Sequence, residues 1–481
     1  MLSTSKNKPK TEKRRLFHWA LLPAIIALAW PTMLEQLLQT VVQYVDTAMV
    51  GSLGTDAVAA VGSTTTVNWL IGSTVSAVGV GFLAFISQAL GEGDEPRARR
   101  AASQAVLAAL TVGSVFTVLS LAISPVIPAL MQVEEHVRPL ASRYFFILYL
   151  PMLPRAATTI FGTVLRAAGD TKTPMRVGLL VNGVNVTLNF LLIYPTRQVG
   201  VLWIPGAGLG VTGAAIASAI AFAVGGILIT LAVLRHPRIS PRGYSMKPDR
   251  TILLPCLRVA FPNVLQRFGT SLGYVAFAAM VNSLGEISTA AHTIANTVES
   301  AFYVPGYGMQ AAAATLTGNA VGAGDSRRIR ELGSMLIAVE VTLMVLSGGA
   351  LFLFAPNLVS MFSKDAEVIA LGSAVLRMVA LSEPFYGVSI VIEGMLQGMG
   401  RTFMPFVTGV AGMWGIRIVG TALCLSLLPY GLISAWACMI AHNMMLFVVF
   451  SIYYTRLRRN PLVGLSGTVR QDKNRKKGTD L

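Results

Sequence analysis

The stretch PTMLEQLLQTVVQYVDTAMVGSLGTD, residues 31–56, has a counterpart in PNVLQRFGTSLGYVAFAAMVNSLGEI, residues 262–287. The two align without a gap at an offset of 231 residues (262 − 31). Pro31 falls on Pro262, Ala48-Met49-Val50 on Ala279-Met280-Val281, and Ser52-Leu53-Gly54 on Ser283-Leu284-Gly285. The register continues outward. Gly91, Gly93 and Asp94 fall on Gly322, Gly324 and Asp325, and Arg97 and Arg99 on Arg328 and Arg330. Leu165, Gly169, Thr171 and Pro174 fall on Leu396, Gly400, Thr402 and Pro405. Coincidence does not place so many pairs in one register. The chain is a duplicated unit.

The unit belongs in a membrane. Of 481 residues, 54% are hydrophobic and 12% charged, against about 25% charged in a soluble domain. Apolar runs recur, each long enough to cross a hydrocarbon core of roughly 30 Å. They lie at 17–50, 57–90, 101–124, 138–166, 175–195 and 209–234, and then at 252–283, 288–321, 332–355, 368–396, 403–424 and 431–455. The expected fold is an all-α integral membrane protein with twelve transmembrane helices in two six-helix lobes. An even number of helices per repeat relates the lobes by a pseudo-twofold axis along the membrane normal, an arrangement typical of secondary transporters. The organisation expected is a tail at 1–16, an N-terminal lobe at 17–234, a linker at 235–250, a C-terminal lobe at 251–455 and a tail at 456–481.

The net charge of +16 raises the question of nucleic acid, and its distribution answers it. Lys and Arg concentrate at 6–15, 97–100, 166–176, 235–250, 327–330 and 456–477, in every second connection. The intervening loops are short or acidic, as at Glu134-Glu135. That alternation is the positive-inside pattern. It predicts a multi-pass plasma (inner) membrane protein with both termini cytoplasmic, surrounded by lipid and binding no nucleic acid. Cys256, Cys424 and Cys438 have no metal-type spacing and read as small core residues. No HExxH, P-loop or nucleophile elbow is present, so the sequence offers no catalytic set and calls for no organic cofactor.

Ionisable groups inside the spans carry the functional signal, since a charge at the bilayer centre costs at least about 2.5–3.5 kcal/mol. The first helix places Glu35, Gln39 and Asp46 on one face, with Gln43 at its edge. Pro31 can hinge this helix, because it lacks an N–H and crowds the preceding turn. Helix five carries Asn182, Asn185 and Asn189 at spacings of 3 and 4, and Ser218 lies in helix six. The duplication acts as an internal comparison. Asp46 is matched by Phe277, Glu35 by Gln266, Asn185 by Ile416 and Asn189 by Gly420. The polar set therefore belongs to one lobe and is not a demand of the fold. The second lobe has Glu299, Glu340, Glu383, Glu393, Arg267, Arg377 and Arg417, for which internal ion pairing is the plain expectation. Arg155 in helix four can meet a carboxylate or an anionic substrate, and His292 reads as a packed polar residue.

The segment 31–56, the loops LGEGD and VGAGD, LRAAGDTKTP at 165–174 and AAHTIA at 290–295 together resemble the multidrug and toxic compound extrusion (MATE) family, over residues 17–455. The resemblance implies two bundles around a V-shaped cavity. It also implies export of organic cations, drugs or metabolites in exchange for H+ or Na+. Asp46 matches the family's first-helix acid, Pro31 its first-helix proline and Asn185 its helix-five asparagine. Asn189 stands where some members have an aspartate, and Ser218 where they have a threonine. The acids that other branches carry in helices seven and ten are here Thr270 and Tyr386. The expected ion-coupling residues are thus Asp46, Asn185, Asn189 and, second to Asp46, Glu35, with any Na+ at Asp46. Gln39, Gln43, Ser218, Arg155, Glu299, Tyr386 and Glu393 are expected to line the cavity. The expected partner is an amphipathic, cationic small molecule, and the expected state is a monomer. The competing reading is a flippase for lipid-linked intermediates, which calls for a strongly cationic cavity where this lobe offers acids and amides.

Cysteines introduced at Ser240 and at Thr55 should react with impermeant maleimide from opposite sides of the membrane. Labelling of both from one side would overturn the twelve-helix topology.

Overall fold

The structure, a computed structural model, describes residues 19–199 and 202–462. The tail at 1–16 and most of the tail at 456–481 lie outside the described residues. A chain this apolar must satisfy its backbone within each span, and it does so with helices. The first repeat forms α1 (Leu22–Gly51), α2 (Thr55–Gly91), α3 (Glu95–Ile123), the single turn α4 (Ile127–Leu130), α5 (Arg138–Tyr149), α6 (Met152–Ala167), α7 (Lys172–Leu192) and α8 (Gly210–Arg235). The second forms α9 (Arg250–Asn282), α10 (Glu286–Gly322), α11 (Ser326–Ser360), α12 (Ala366–Ala380), α13 (Glu383–Gly398), α14 (Phe403–Ala411), a π-helical stretch (Gly412–Val419), α15 (Gly420–Leu427) and α16 (Leu432–Arg459).

Among the described residues, eight helices are long and apolar enough to span on their own. Two further spans are bent pairs, α5 with α6 at 51° and α12 with α13 at 53°. The long helices α9 and α10 complete twelve; polar and charged residues such as Arg258, Arg267, His292 and Glu299 dilute their apolar runs. The expected spans 138–166 and 368–396 are therefore each two helices, broken at Leu150-Pro151 and at Leu381-Ser382. Pro151 accounts for the first break, since a proline disfavours helix in the residue before it. Two other elements escaped the sequence reading. Strands β1 (Pro195–Val199) and β2 (Leu202–Ala207) form an antiparallel hairpin between α7 and α8, and α16 runs a turn beyond 455, to Arg459.

The duplication is visible in local chemistry. The Asp94 carboxylate caps α3 by accepting from the Arg97 N–H at 2.9 Å, and Asp325 caps α11 by accepting from the Arg328 N–H at 2.8 Å. The glycines before these caps, Gly93 and Gly324, have φ of +79° and +70°, a region where a side chain is strained. The repeated G-x-G-D is thus a turn and cap built twice.

The ends of the helices that carry the basic connections form one face of the molecule, here called the basic face. There the lobes close on each other. Helix α2 lies along α9 and α10, and α1 crosses α10. Glycines bring the backbones together: a Cβ at Gly91 would overlap the Asn319 carbonyl, and one at Gly322 the Gln88 carbonyl. The Gln88 amide donates across the lobes to the Gly398 carbonyl at 2.9 Å, and the Thr315 hydroxyl to the Arg166 carbonyl at 3.1 Å. The linker strand of chain between α8 and α9 lies against α3, where Gln104 donates to the Lys247 carbonyl and accepts from the Asp249 N–H. Pro31 is buried where α1 meets α10, beside Thr32, whose hydroxyl donates to the Gly308 carbonyl at 3.1 Å. Towards the opposite face α1 is more open, with Gln39, Val41, Gln43, Tyr44 and Thr47 exposed.

Overpacking a tight helix contact typically costs about 1–3 kcal/mol. Gly322→Val should therefore lower the thermal unfolding midpoint of the purified protein clearly. Gly349→Ala, where no atom lies within 4 Å of the new Cβ, should stay within about 0.5 kcal/mol of the parent.

Candidate functional site

The polar residues of α1, α7 and α8 converge at one point in the N-terminal lobe. Helices α1 and α7 run side by side in the same direction. Their polar positions advance together: Glu35 lies beside Gly178 and, 11 residues on in both helices, Asp46 lies beside Asn189. Asp46 is half-buried, while Asn185 and Asn189 are 6% and 1% exposed. The Asn189 amide donates to Asp46 Oδ1 at 2.6 Å.

The Asn185 amide sits between Asp46 and Ser218 and can serve either. With its nitrogen towards Asp46 it donates to Oδ1 at 2.9 Å and Oδ2 at 3.2 Å, and its oxygen accepts from the Ser218 hydroxyl at 3.0 Å. In this orientation an ionised Asp46 has amide donors on both oxygens. Turned over, the same amide donates to Ser218 Oγ at 3.0 Å and accepts from Asn189 at 3.2 Å. One set of heavy-atom positions thus supports two hydrogen-bonding patterns, as the near-equal shape of amide O and N allows. Asn189 Oδ1 is buried without a partner. The site offers a carboxylate, amide oxygens and a hydroxyl from three helices. That is an oxygen set suited to a proton or a hard monovalent cation. Among the described residues, no three His, Cys, Asp or Glu side chains gather as they would for a multivalent metal.

The remaining expected residues divide. Glu35 is some 16 Å along the helix from Asp46, at about 1.5 Å per residue, and pairs with Arg166 at 2.9 Å. Arg155 points into the lobe, its guanidinium 4.7 Å from the Phe222 ring and 5.6 Å from that of Tyr149, and among the described residues it meets no carboxylate within salt-bridge distance. Gln39 and Gln43 are exposed. In the second lobe Glu393 accepts from Gln266 at 3.1 Å and Gln397 at 3.2 Å. The Tyr386 and Tyr307 hydroxyls are 3.4 Å apart. Glu299 is buried, 5% exposed. His292 is packed as expected, its Nδ1 accepting from the Trp436 indole at 3.2 Å.

Sequence reasoning missed an aromatic run across the lobe junction. Trp69 of α2 meets Tyr274 of α9 edge-on at 6.4 Å, and Tyr303 meets both Tyr307 and Tyr386 at about 6 Å. Tyr44 of α1 donates to the Thr297 carbonyl of α10 at 3.1 Å. The i, i+4 spacing of Tyr303 and Tyr307 was the available signal. A cavity of about 450 Å³ lies away from all of these, on the basic face between Ala27, Asp170, Lys172 and His236. Burial there pulls the His236 imidazole below its ordinary pKa.

The MatE family profile matches this chain twice, at residues 31–191 and 262–423. The probable multidrug resistance protein NorM of Thermotoga maritima is 27% identical over 417 residues, covering 87% of this chain and 88% of that protein. The probable multidrug resistance protein YoeA of Bacillus subtilis is 27% identical over 399 residues, covering 81% and 83%. In fold, the chain superposes on the Vibrio cholerae MATE transporter VcmN with a TM-score of 0.84 and 20% identity, over 92% of this chain and 98% of that one.

The Glu35–Arg166 pair, with side chains 13% and 20% exposed, ties α1 to the end of α6. Removing one charge leaves the other poorly solvated, so Glu35→Gln should destabilise the protein by roughly 1–3 kcal/mol. A Glu35→Gln/Arg166→Gln double variant should recover part of that loss in a thermal melt. Equal, additive losses would show that the two side chains do not interact.

Proposed function

This chain belongs to the MatE family of membrane transporters, and we propose that it is a secondary antiporter that exports amphipathic organic cations, drugs or metabolites in exchange for H+ or Na+. The observation that carries the coupling role is the Asp46 carboxylate, held by Asn185 and Asn189 at the junction of α1, α7 and α8. A carboxylate inside a membrane-spanning helix is retained at a cost that the fold does not require, because the duplicated lobe has Phe277 there.

The exchange follows from the hydrogen bonds. Ionised Asp46 accepts from both amides and holds α7 against α1. A proton on Asp46 turns one oxygen into a donor facing N–H donors. The Asn185 amide then turns over, giving its oxygen to Asp46 and its nitrogen to Ser218. Na+ would act differently in detail and alike in effect, taking up the carboxylate and amide oxygens. Either way the α1–α7 contact is remade, and the strain falls on the helix that contains Pro31. Substrate and ion thereby favour different packings of α1, which is what coupling requires. The aromatic side chains at the lobe junction, Trp69, Tyr274, Tyr303, Tyr307 and Tyr386, suit a flat or quaternary cation, since ring faces attract positive charge. The alternation of basic loops supports a plasma-membrane setting with both termini in the cytoplasm. Each net positive charge moved inward through about 100 mV releases roughly 2.3 kcal/mol, a bias of about fiftyfold, whereas a one-for-one exchange for a monovalent cation draws on the ion's concentration gradient alone.

Asp46→Asn should insert and fold yet lose ion-gradient-driven efflux from proteoliposomes. Asn185→Ala should reduce it less, by removing an amide and not the titrating group. Imposing H+ and Na+ gradients separately identifies the ion. Normal exchange by Asp46→Asn, with Glu393→Gln inactive, would move the coupling site to the other lobe.

A further inference from the structure

Glu383 lies within electrostatic reach of two other buried carboxyl groups inside the C-terminal lobe, near the break between α12 and α13. Glu383 is the first residue of α13, Glu340 lies in the middle of α11, and Glu299 in the middle of α10. They are 1%, 0% and 5% exposed, and Glu383 interacts electrostatically with both of the others. The lobe makes room for them. A Cβ at Gly306 of α10 would come within 2.8 Å of Glu340 Oε1, and one at Gly387 of α13 within 2.9 Å. Two helices thus omit a side chain where this carboxyl enters. The rest of the slot is apolar, with Met344 and Ile390 at 3.1 Å and 3.4 Å from the same Gly306 position.

The ion pairing expected for these acids is not found. All four carboxyl oxygens of Glu340 and Glu383 are buried without a hydrogen-bond partner. The cation that acts on the group is Arg417, through Glu299. Its guanidinium is stacked 4.8 Å from Tyr274 and 4.4 Å from Phe277, and its Nε has no partner. His292 and His442 lie on the Arg417 side, where a second positive charge would be repelled. Tyr303 faces Glu299 and Glu383. Arg377, on the neighbouring α12, is exposed and sits 5.9 Å from the Phe352 ring. Three carboxyls against one guanidinium leave two negative charges uncompensated (3 − 1). In a medium that does not solvate them, that is a large cost. The first lobe has Asn68, Ala109 and Met152 at the matching positions, so the duplication does not demand the acids.

We propose that Glu299, Glu340 and Glu383 form a second proton-holding site, in the C-terminal lobe, that keeps two protons beside the single charge of Arg417. A proton needs no space, whereas the glycine-framed slot leaves none for a hydrated cation. The site rests on the antiport reading for its use, as a store of coupling protons that is independent of Asp46. Its existence does not depend on that reading.

The test is infrared difference spectroscopy of the purified full-length protein in nanodiscs at neutral pH, reading the carbonyl stretch of protonated carboxylic acids. It needs no transport, so it stands apart from the proteoliposome assay. The band should be present in the parent and persist in Asp46→Asn. In Glu340→Gln, Glu383→Gln and Glu299→Gln one proton should remain where there were two, so the cluster's share of the band should fall by about half in each. Arg417→Gln should raise that share by about half, because the third carboxyl must then take a proton. A merely structural role for Arg417 would not increase the band. Absence of the band from Asp46→Asn, a band in the three glutamate-to-glutamine variants as intense as in the parent, or loss of the band on adding NaCl at constant pH would each overturn the proposal. The Asp46→Asn and NaCl arms decide it even where a glutamine variant does not fold.

Discussion

The bilayer core holds no water to accept a stray hydrogen bond, and every feature of this molecule answers to that. Backbone groups are satisfied within helices, so the chain is almost wholly helical across the membrane. Side chains that cannot be satisfied by their own helix must find partners on another. Glu35 finds Arg166, Gln88 finds the Gly398 carbonyl, and Asp46 finds two amides. These contacts lie between helices and not within them. The polar groups therefore decide which helices stay together, while apolar packing and glycine contacts decide how closely.

Duplication supplies the frame and leaves the polar groups free to differ. The turns and caps recur at an offset of 231, as with Gly93 and Gly324 or Asp94 and Asp325. So do the broken spans, at Leu150-Pro151 and Leu381-Ser382. The titratable groups within the spans do not recur. One lobe carries Asp46 with its asparagines where the other has Phe277, Ile416 and Gly420. The other carries Glu299, Glu340 and Glu383 where the first has Asn68, Ala109 and Met152. Arg417, one residue past the Asn185 counterpart, stacks on Phe277, the Asp46 counterpart. The same corner of the bundle thus holds an anion in one lobe and a cation in the other.

Much of this was legible before any coordinates. The number of spans and the duplication follow from hydrophobic length and internal alignment, and helical spacing put Asn185 and Asn189 on one face; that they meet Asp46 and Ser218 was implied by the family resemblance. The breaks were harder. Pro151 announces the first, but the second has no proline at Leu381-Ser382, only Pro384 three residues after Leu381. The hairpin at 195–207 was hidden because a short stretch between two strong spans reads as a loop, though β-branched residues flank Gly200. The Glu35–Arg166 pair spans 131 residues, and no single-helix pattern carries such a contact. The expectation of ion pairs for Glu340 and Glu383 failed for a related reason. The expected single span 368–396 put Arg377 and Glu383 on one helix, whereas the structure breaks it between α12 and α13 and leaves Arg377 exposed.

A broken helix has a physical use that a straight one lacks. It ends its hydrogen-bond ladder inside the membrane and starts the next segment with the positive end of a helix dipole. Glu383 stands at that start in α13. The break makes a carboxyl tolerable there, and the glycines opposite make it possible for Glu340 to approach. Asp46, by contrast, lies within an unbroken helix and must be held by side chains alone. An amide that can turn over exchanges its partners without moving the backbone, whereas a helix dipole is fixed by the backbone itself. The N-terminal cluster is thus the one whose hydrogen bonding can change without a backbone movement, and the C-terminal cluster the one whose environment is set by the backbone.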